Sequence, residues 1–240
     1  MAGLLTSAGP EPAGATKPWW PGAAVALVWA LLTAFWISGQ PPCVDLPAHG
    51  AQMMTLAGLL RHLPDVTATY EWHLPSGYAL IDFICLPLVW LTNGAVAVRV
   101  ALWVTLQLFL LALVALAKAW QRPRWFVVLA LPMAINISYW YGLLSGLFAQ
   151  PFFFFCLSAA HVSQRDPRRR WLALAALAAL VTMQSHLLAF VVLIVALVTD
   201  ALMAERKGLA LRNVVFITAL PGLLASTELL TLATRSIRPG

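Results

Sequence analysis

The chain has 240 residues, of which 61% are apolar and only 10% charged, with a formal net charge of +6. Roughly a quarter of a soluble domain's residues are charged, so a soluble enzyme, a disordered tail and a secreted disulfide scaffold are excluded; a mean hydropathy of +0.83 leaves a polytopic integral membrane protein. The positive charge does not point to nucleic acid, because the basic residues lie in short clusters between apolar runs, the pattern that positively charged cytoplasmic loops produce.

Residues 1–20 are rich in Ala, Gly and Pro, with Lys17 as the only basic residue, and read as a flexible cytoplasmic leader. The run 21–38 is uncharged and about long enough to span. No small-x-small cleavage site follows it at 37–42, so an uncleaved signal anchor is expected rather than a cleaved signal peptide. Residues 39–95 then form one long loop, far beyond the usual connection of about 2–8 residues between bundled helices. Inside it, Asp45-Leu46-Pro47 opens the apolar-periodic stretch 48–63. The stretch 74–92 is also apolar but carries Pro75, Asp82 and Pro87. A mid-bilayer Asp costs about 2.5–3.5 kcal/mol, so a helix lying in the outer interface is expected there.

Further apolar runs cover 96–117, 125–141, 143–162, 171–199 and 213–234. As one helix, 171–199 would be about 44 Å long against a hydrocarbon core of about 30 Å. Gln184-Ser185-His186 interrupts it, so two short helices meeting at a polar turn are expected, with one strongly tilted helix as the alternative. The fold expected is therefore all-α: a transmembrane bundle of about seven spans, forming one domain over 21–240 with interfacial helices in the 39–95 loop.

With the N-terminus inside and 74–92 not crossing, eleven of the fifteen Lys and Arg residues are cytoplasmic, and Arg61, Arg99, Arg235 and Arg238 are outside. If 74–92 crosses with the N-terminus still inside, the ratio inverts and breaks the charge rule. If it crosses with the N-terminus outside, the favourable ratio returns, and only the burial of Asp82 argues against that version.

The favoured topology places the 39–95 loop and the turns near Tyr141 and His186 on the outer face, with His49, His62, His73, His186, Asp45, Asp65 and Glu71. Asp45, just past the first run, suits a general base at a lipid-borne substrate. It also suits a helix N-cap, with Pro47 near the first helical position; the two roles are compatible. Asp45, His49 and His62 form a feasible ligand set for a divalent metal ion, against the plainer reading of histidines in a wet loop. Arg61 suits a phosphate or pyrophosphate, and Arg99 reads as a snorkelling side chain. Tyr139, Trp140 and Tyr141 fit an interfacial aromatic belt or a platform for a sugar ring. Gly142 and Gly146 have the spacing of close helix packing, and residues 152–155, all Phe, read as lipid-facing bulk. His186, a polar residue in an apolar run, is either functional or hydrogen-bonded locally, and Glu228 needs a partner or an aqueous cavity. Cys43, Cys85 and Cys156 form no redox or metal pattern. No Walker, GxGxxG, HExxH or GxSxG motif occurs.

The order Asp45-Leu46-Pro47-Ala48-His49-Gly50-Ala51-Gln52, Tyr70-Glu71-Trp72, a Pro-containing helix near Asp82, Asn136 with Trp140-Tyr141-Gly142, and Ser185-His186-Leu187-Leu188-Ala189-Phe190 resembles bacterial membrane proteins similar to the GT-C glycosyltransferase superfamily, over about residues 20–205. The resemblance implies a multi-pass enzyme of the bacterial cytoplasmic (inner) membrane that takes a sugar from a polyprenyl-phosphate donor on the outer face. It puts Asp45 at the catalytic position, as the base that deprotonates the acceptor hydroxyl. Arg61, with His49 or a bound divalent metal, would stabilise the departing lipid phosphate, while Glu71, His73, Trp140 and His186 would orient donor and acceptor. The partners expected are the lipid-linked sugar and membrane lipids. Two departures stand out: Asp45 lacks the adjacent second acid of many members, and the chain is shorter than most, as a truncated frame or fragment would be. They favour the alternatives of a non-enzymatic membrane subunit or transporter; a metal-binding membrane protein is a third reading.

Overall fold

Helices account for nearly all of the described backbone, and no strand occurs among the described residues. The computed structural model describes residues 20–39, 44–70, 78–123, 125–136, 139, 141, 143–166 and 168–236. The elements are α1 (Trp20–Ser38), α2 (Leu46–Leu60), α3 (Pro64–Thr67), α4 (Leu80–Leu91), α5 (Gly94–Ala119), α6 (Trp125–Ala130), a 3-10 turn at Leu131–Ala134, α7 (Leu144–Arg165), α8 (Arg169–Ser185), α9 (Leu187–Met203) and α10 (Lys207–Ser236).

Three stretches among the described residues are long and apolar enough to cross a membrane: Gly94–Ala119, Leu144–Arg165 and Lys207–Thr227. Large apolar side chains such as Leu27, Leu31, Val195, Val215 and Leu223 lie open on α1, α9 and α10, a surface suited to lipid rather than water. The chain is a membrane protein. α5 begins sharply because the Asn93 side chain accepts a hydrogen bond from the Val96 N–H at 3.0 Å, and Lys118 in its last turn favours the negative end of the helix dipole.

Side-chain contacts set the direction of each helix. Phe109 stacks edge-on with Phe154, and ten residues further along α5 the Ala119 carbonyl accepts from Arg165, so α5 and α7 run parallel. α9 runs the same way, with Asp200 meeting His161 near the ends of both helices. The short turns after α7 and α9 make α8 and α10 antiparallel to them. α1 also opposes α5, fastened by Trp29 donating to the Leu106 carbonyl and Trp103 donating to the Ala30 carbonyl. Gln107 donates to the Thr33 hydroxyl between the same two helices.

Because α5 and α7 are parallel, the chain between them must return along the bundle. The sequence predicts one helix over 125–141 for that return; the structure instead has six residues of α6 followed by a 3-10 turn. Pro132 explains the change, since it lacks an N–H and restricts the residue before it. The expected break in 171–199 is present: α8 and α9 are 17 residues each, about 25 Å, joined at the extended His186. In the 74–92 region α4 is a 12-residue helix rising about 18 Å, too short to cross a core of about 30 Å.

A second expectation is corrected at residues 152–155. They are half-buried rather than lipid-facing bulk alone, and their rings pack on one another and on Phe109 and Phe148. Four consecutive residues cover most of a helix's circumference, and α5, α8 and α9 pack around α7, so each ring is partly covered by protein. Cys156 is a core filler, fully buried. Gly142 lies outside the described residues; a close backbone crossing joins Gly50 of α2 to Gly94 at the start of α5, where a Cβ on Gly94 would collide with the Gly50 carbonyl.

Candidate functional site

α2 lies across the end of the bundle where α5 and α7 begin. Its first residues are anchored there by the Asp45 N–H, which donates to the Tyr141 carbonyl at 3.0 Å. Asp45 stands at the N-cap position, but its backbone is helical (φ −92°, ψ 0°) and its side chain makes no capping bond. Pro at the first helical positions removes one of the N–H groups a cap would satisfy. Of the two sequence-based roles, capping therefore falls away, and the half-buried carboxylate is left for other work. One turn on, His49 is half-buried with its Nδ1 enclosed and unpartnered. Burial holds its pKa below the ordinary imidazole value, while the Asp45 carboxylate pulls it the other way.

A cleft of about 650 Å³ lies between α2 and the start of α5, walled by Leu46, Pro47, Gly50, Met54, Gly94 and Arg99 among others. The Gly50–Gly94 crossing brings the two helices together and so sets Arg99 on a cleft whose wall begins at Leu46, the residue after Asp45. Sequence reasoning gave Arg99 to snorkelling and the phosphate role to Arg61. Arg61 is the C-cap of α2, sixteen residues from Asp45 and thus about 24 Å along a straight helix, with its guanidinium 5.5 Å over the Trp90 ring. The structure does not bring it to Asp45.

The metal set is corrected for the same reason. His62 lies past the far end of α2 in the left-handed region (φ 52°), thirteen residues and about 20 Å from His49. No group of three His, Cys, Asp or Glu side chains among the described residues could hold a metal ion. Glu71, His73 and Trp140 lie outside the described residues.

A second polar group gathers at the α8–α9 break. His186 Nδ1 accepts from the Ala189 N–H at 3.4 Å and so caps α9, which leaves the proton of a neutral ring on Nε2. Its ring meets Tyr78 edge-on, with centroids 5.3 Å apart. Gly146 makes room for it, since a Cβ there would stand 3.3 Å from the ring. His186 opens on a cavity of about 350 Å³ whose other polar side chains are Asn136 and Gln150, joined by a 3.0 Å hydrogen bond. An apolar cavity with a few convergent polar groups is the usual form of a small-molecule site. Nearby on α4, Asp82 is buried, with Oδ1 unpartnered. Loss of water pushes its pKa up to about 7, and the Cys85 thiol one turn on rises as well, first through burial and then through the Asp82 charge.

At the other end of the bundle, a polar tie joins α7 and α9, which no turn connects. Asp200 accepts from Gln164 at 2.8 Å and meets His161 Nδ1 at 3.1 Å. Sequence reasoning assigned no role to this pair, because 39 residues separate its members and each reads alone as a stray polar residue.

No protein family, curated protein or solved structure matches this chain.

Proposed function

We propose that the chain is a membrane glycosyltransferase of the GT-C kind, acting on a polyprenyl-phosphate sugar at the outer face of the cytoplasmic membrane. In this reading α1, α5, the return segment and α7 to α10 make about seven crossings, and α2 and α4 lie at the outer surface. The alternating helix directions and the gathering of eleven of fifteen basic residues on one side support it.

The observation that carries the reading is the uncapped carboxylate of Asp45, beside His49 and next to a cleft that holds a cation. Asp45 takes the proton of the acceptor hydroxyl as its oxygen bonds to the sugar's anomeric carbon. The bond from that carbon to the phosphate breaks, and the polyprenyl phosphate leaves with the electron pair, inverting the centre. Arg99, rather than Arg61, meets the departing phosphate. The test supplies purified, reconstituted protein with a panel of polyprenyl-phosphate hexoses. Asp45→Asn abolishes transfer while the protein still inserts, whereas transfer surviving in Asp45→Asn overturns the reading. Cysteine placed at the exposed Ala48, in a background without Cys43, Cys85 and Cys156, is labelled from outside by an impermeant reagent; labelling only after permeabilisation overturns the topology.

A further inference from the structure

Two apolar clefts flank the last turns of α5, at the end of the bundle away from Asp45. One, of about 710 Å³, lies between α1, α5 and α6 and is walled by Val25, Leu110, Val114 and Trp125 among others. The other, of about 570 Å³, lies between α5, α7 and α8 and is walled by Ala115, Phe155, Ala159, Trp171 and Val181 among others. Lys118 lines both, and Arg122 lines the first. Along α8 the second cleft runs from Trp171 to Val181, about 15 Å at 1.5 Å per residue, which is the depth of one leaflet of a core about 30 Å thick.

The charge at the shared mouth is unmatched. Lys118 and Arg122 are exposed, and neither forms an ion pair among the described residues. The acids at this end are engaged elsewhere: Asp166 by Arg168, Arg170 and the Trp171 N–H, and Asp200 by His161 and Gln164. Glu205, in the turn after α9, pairs with neither cation. A cationic mouth over leaflet-deep apolar clefts fits an anionic headgroup carrying hydrocarbon chains; basic pockets between helices on the cytoplasmic side bind lipid phosphates in this way.

We propose that Lys118 and Arg122 hold the phosphodiester of an anionic diacyl phospholipid, whose chains fill the clefts on either side of α5. This stands apart from the reading of Asp45 and holds whether or not that reading does.

The test is native mass spectrometry of the full chain in detergent, titrated separately with phosphatidylglycerol and phosphatidylcholine. The wild type retains phosphatidylglycerol preferentially. Removing both charges in Lys118→Gln/Arg122→Gln lowers that affinity about 25-fold, at about fivefold per charge, and lowers that for zwitterionic phosphatidylcholine far less, so the preference is lost. Arg169→Gln, an exposed charge outside both clefts, has no effect. Ala115→Trp, which fills the second cleft with every charge in place, also weakens retention, so the proposal stays testable if the double variant does not fold. Equal retention of the two lipids, an unchanged double variant, an equal loss in Arg169→Gln, or displacement by millimolar inorganic phosphate overturns the proposal.

Discussion

Asp82→Asn separates the pH dependence of this fold from that of its other groups. Asp82 is buried and its Oδ1 has no partner, so the folded state prefers the neutral acid and raises the pKa from the ordinary 3.8 to about 7. An acid with a raised folded pKa contributes stability that is complete below the unfolded value and is lost as pH rises through the folded one. Across that interval the loss follows 1.36 kcal/mol per pH unit and totals about 4 kcal/mol. Between pH 5.5 and 8.5, where the curve flattens above the folded pKa, it amounts to about 2 kcal/mol. Asn fills the same volume and cannot ionise. Thermal unfolding in detergent, followed by tryptophan fluorescence from pH 5.5 to 8.5, should show wild type losing stability relative to Asp82→Asn by about 2 kcal/mol, with the curves diverging upward in pH. Parallel curves would mean that Asp82 is solvated or paired when ionised, and the argument from its burial would fail.

The remaining predictions use the same melting assay. His49→Gln changes the opposite limb: a lowered imidazole pKa means stability present above the ordinary 6.5 and lost as pH falls through the folded value, so the variant loses less than wild type between pH 7 and 5. Gly94→Ala forces a Cβ against the Gly50 carbonyl, where both partners are backbone, and should cost about 1–3 kcal/mol; a neutral result would show that α2 is free to lift off α5. His186→Ala removes the α9 cap and the Tyr78 contact, for a loss of about 1 kcal/mol from the cap alone.

Much of the helical layout was legible because its signals are local. Asp45-Leu46-Pro47 announces the start of α2, and an apolar run longer than a bilayer with Ser185-His186 in its middle announces a break. What escaped depends on neighbours. Hydropathy cannot tell a helix facing lipid from one packed among others, so the ring-on-ring packing of residues 152–155 was not visible in it. It also passes over Pro132, whose effect is on backbone geometry rather than apolarity. Asp45 and His49 could be read as a pair because one helical turn joins them. Their cleft could not, because it exists only where Gly50 meets Gly94, and that meeting selects Arg99 over the cation nearer in sequence.

The broken return segment also bears on how the protein assembles. Around Leu131–Ala134 the backbone leaves the α-helical pattern, and one freed carbonyl, that of Met133, is met by the Asn136 side chain at 3.0 Å. Such irregular backbone is stable at membrane depth only when covered by protein. The turn packs on α5 and α6, made before it, and Asn136 just beyond it is joined to Gln150 of α7 at 3.0 Å, so its seating draws on helices made on both sides of it. Synthesis halted between Ala119 and Leu144 would leave Asn136 without Gln150, so the second half of the chain completes a piece of the first.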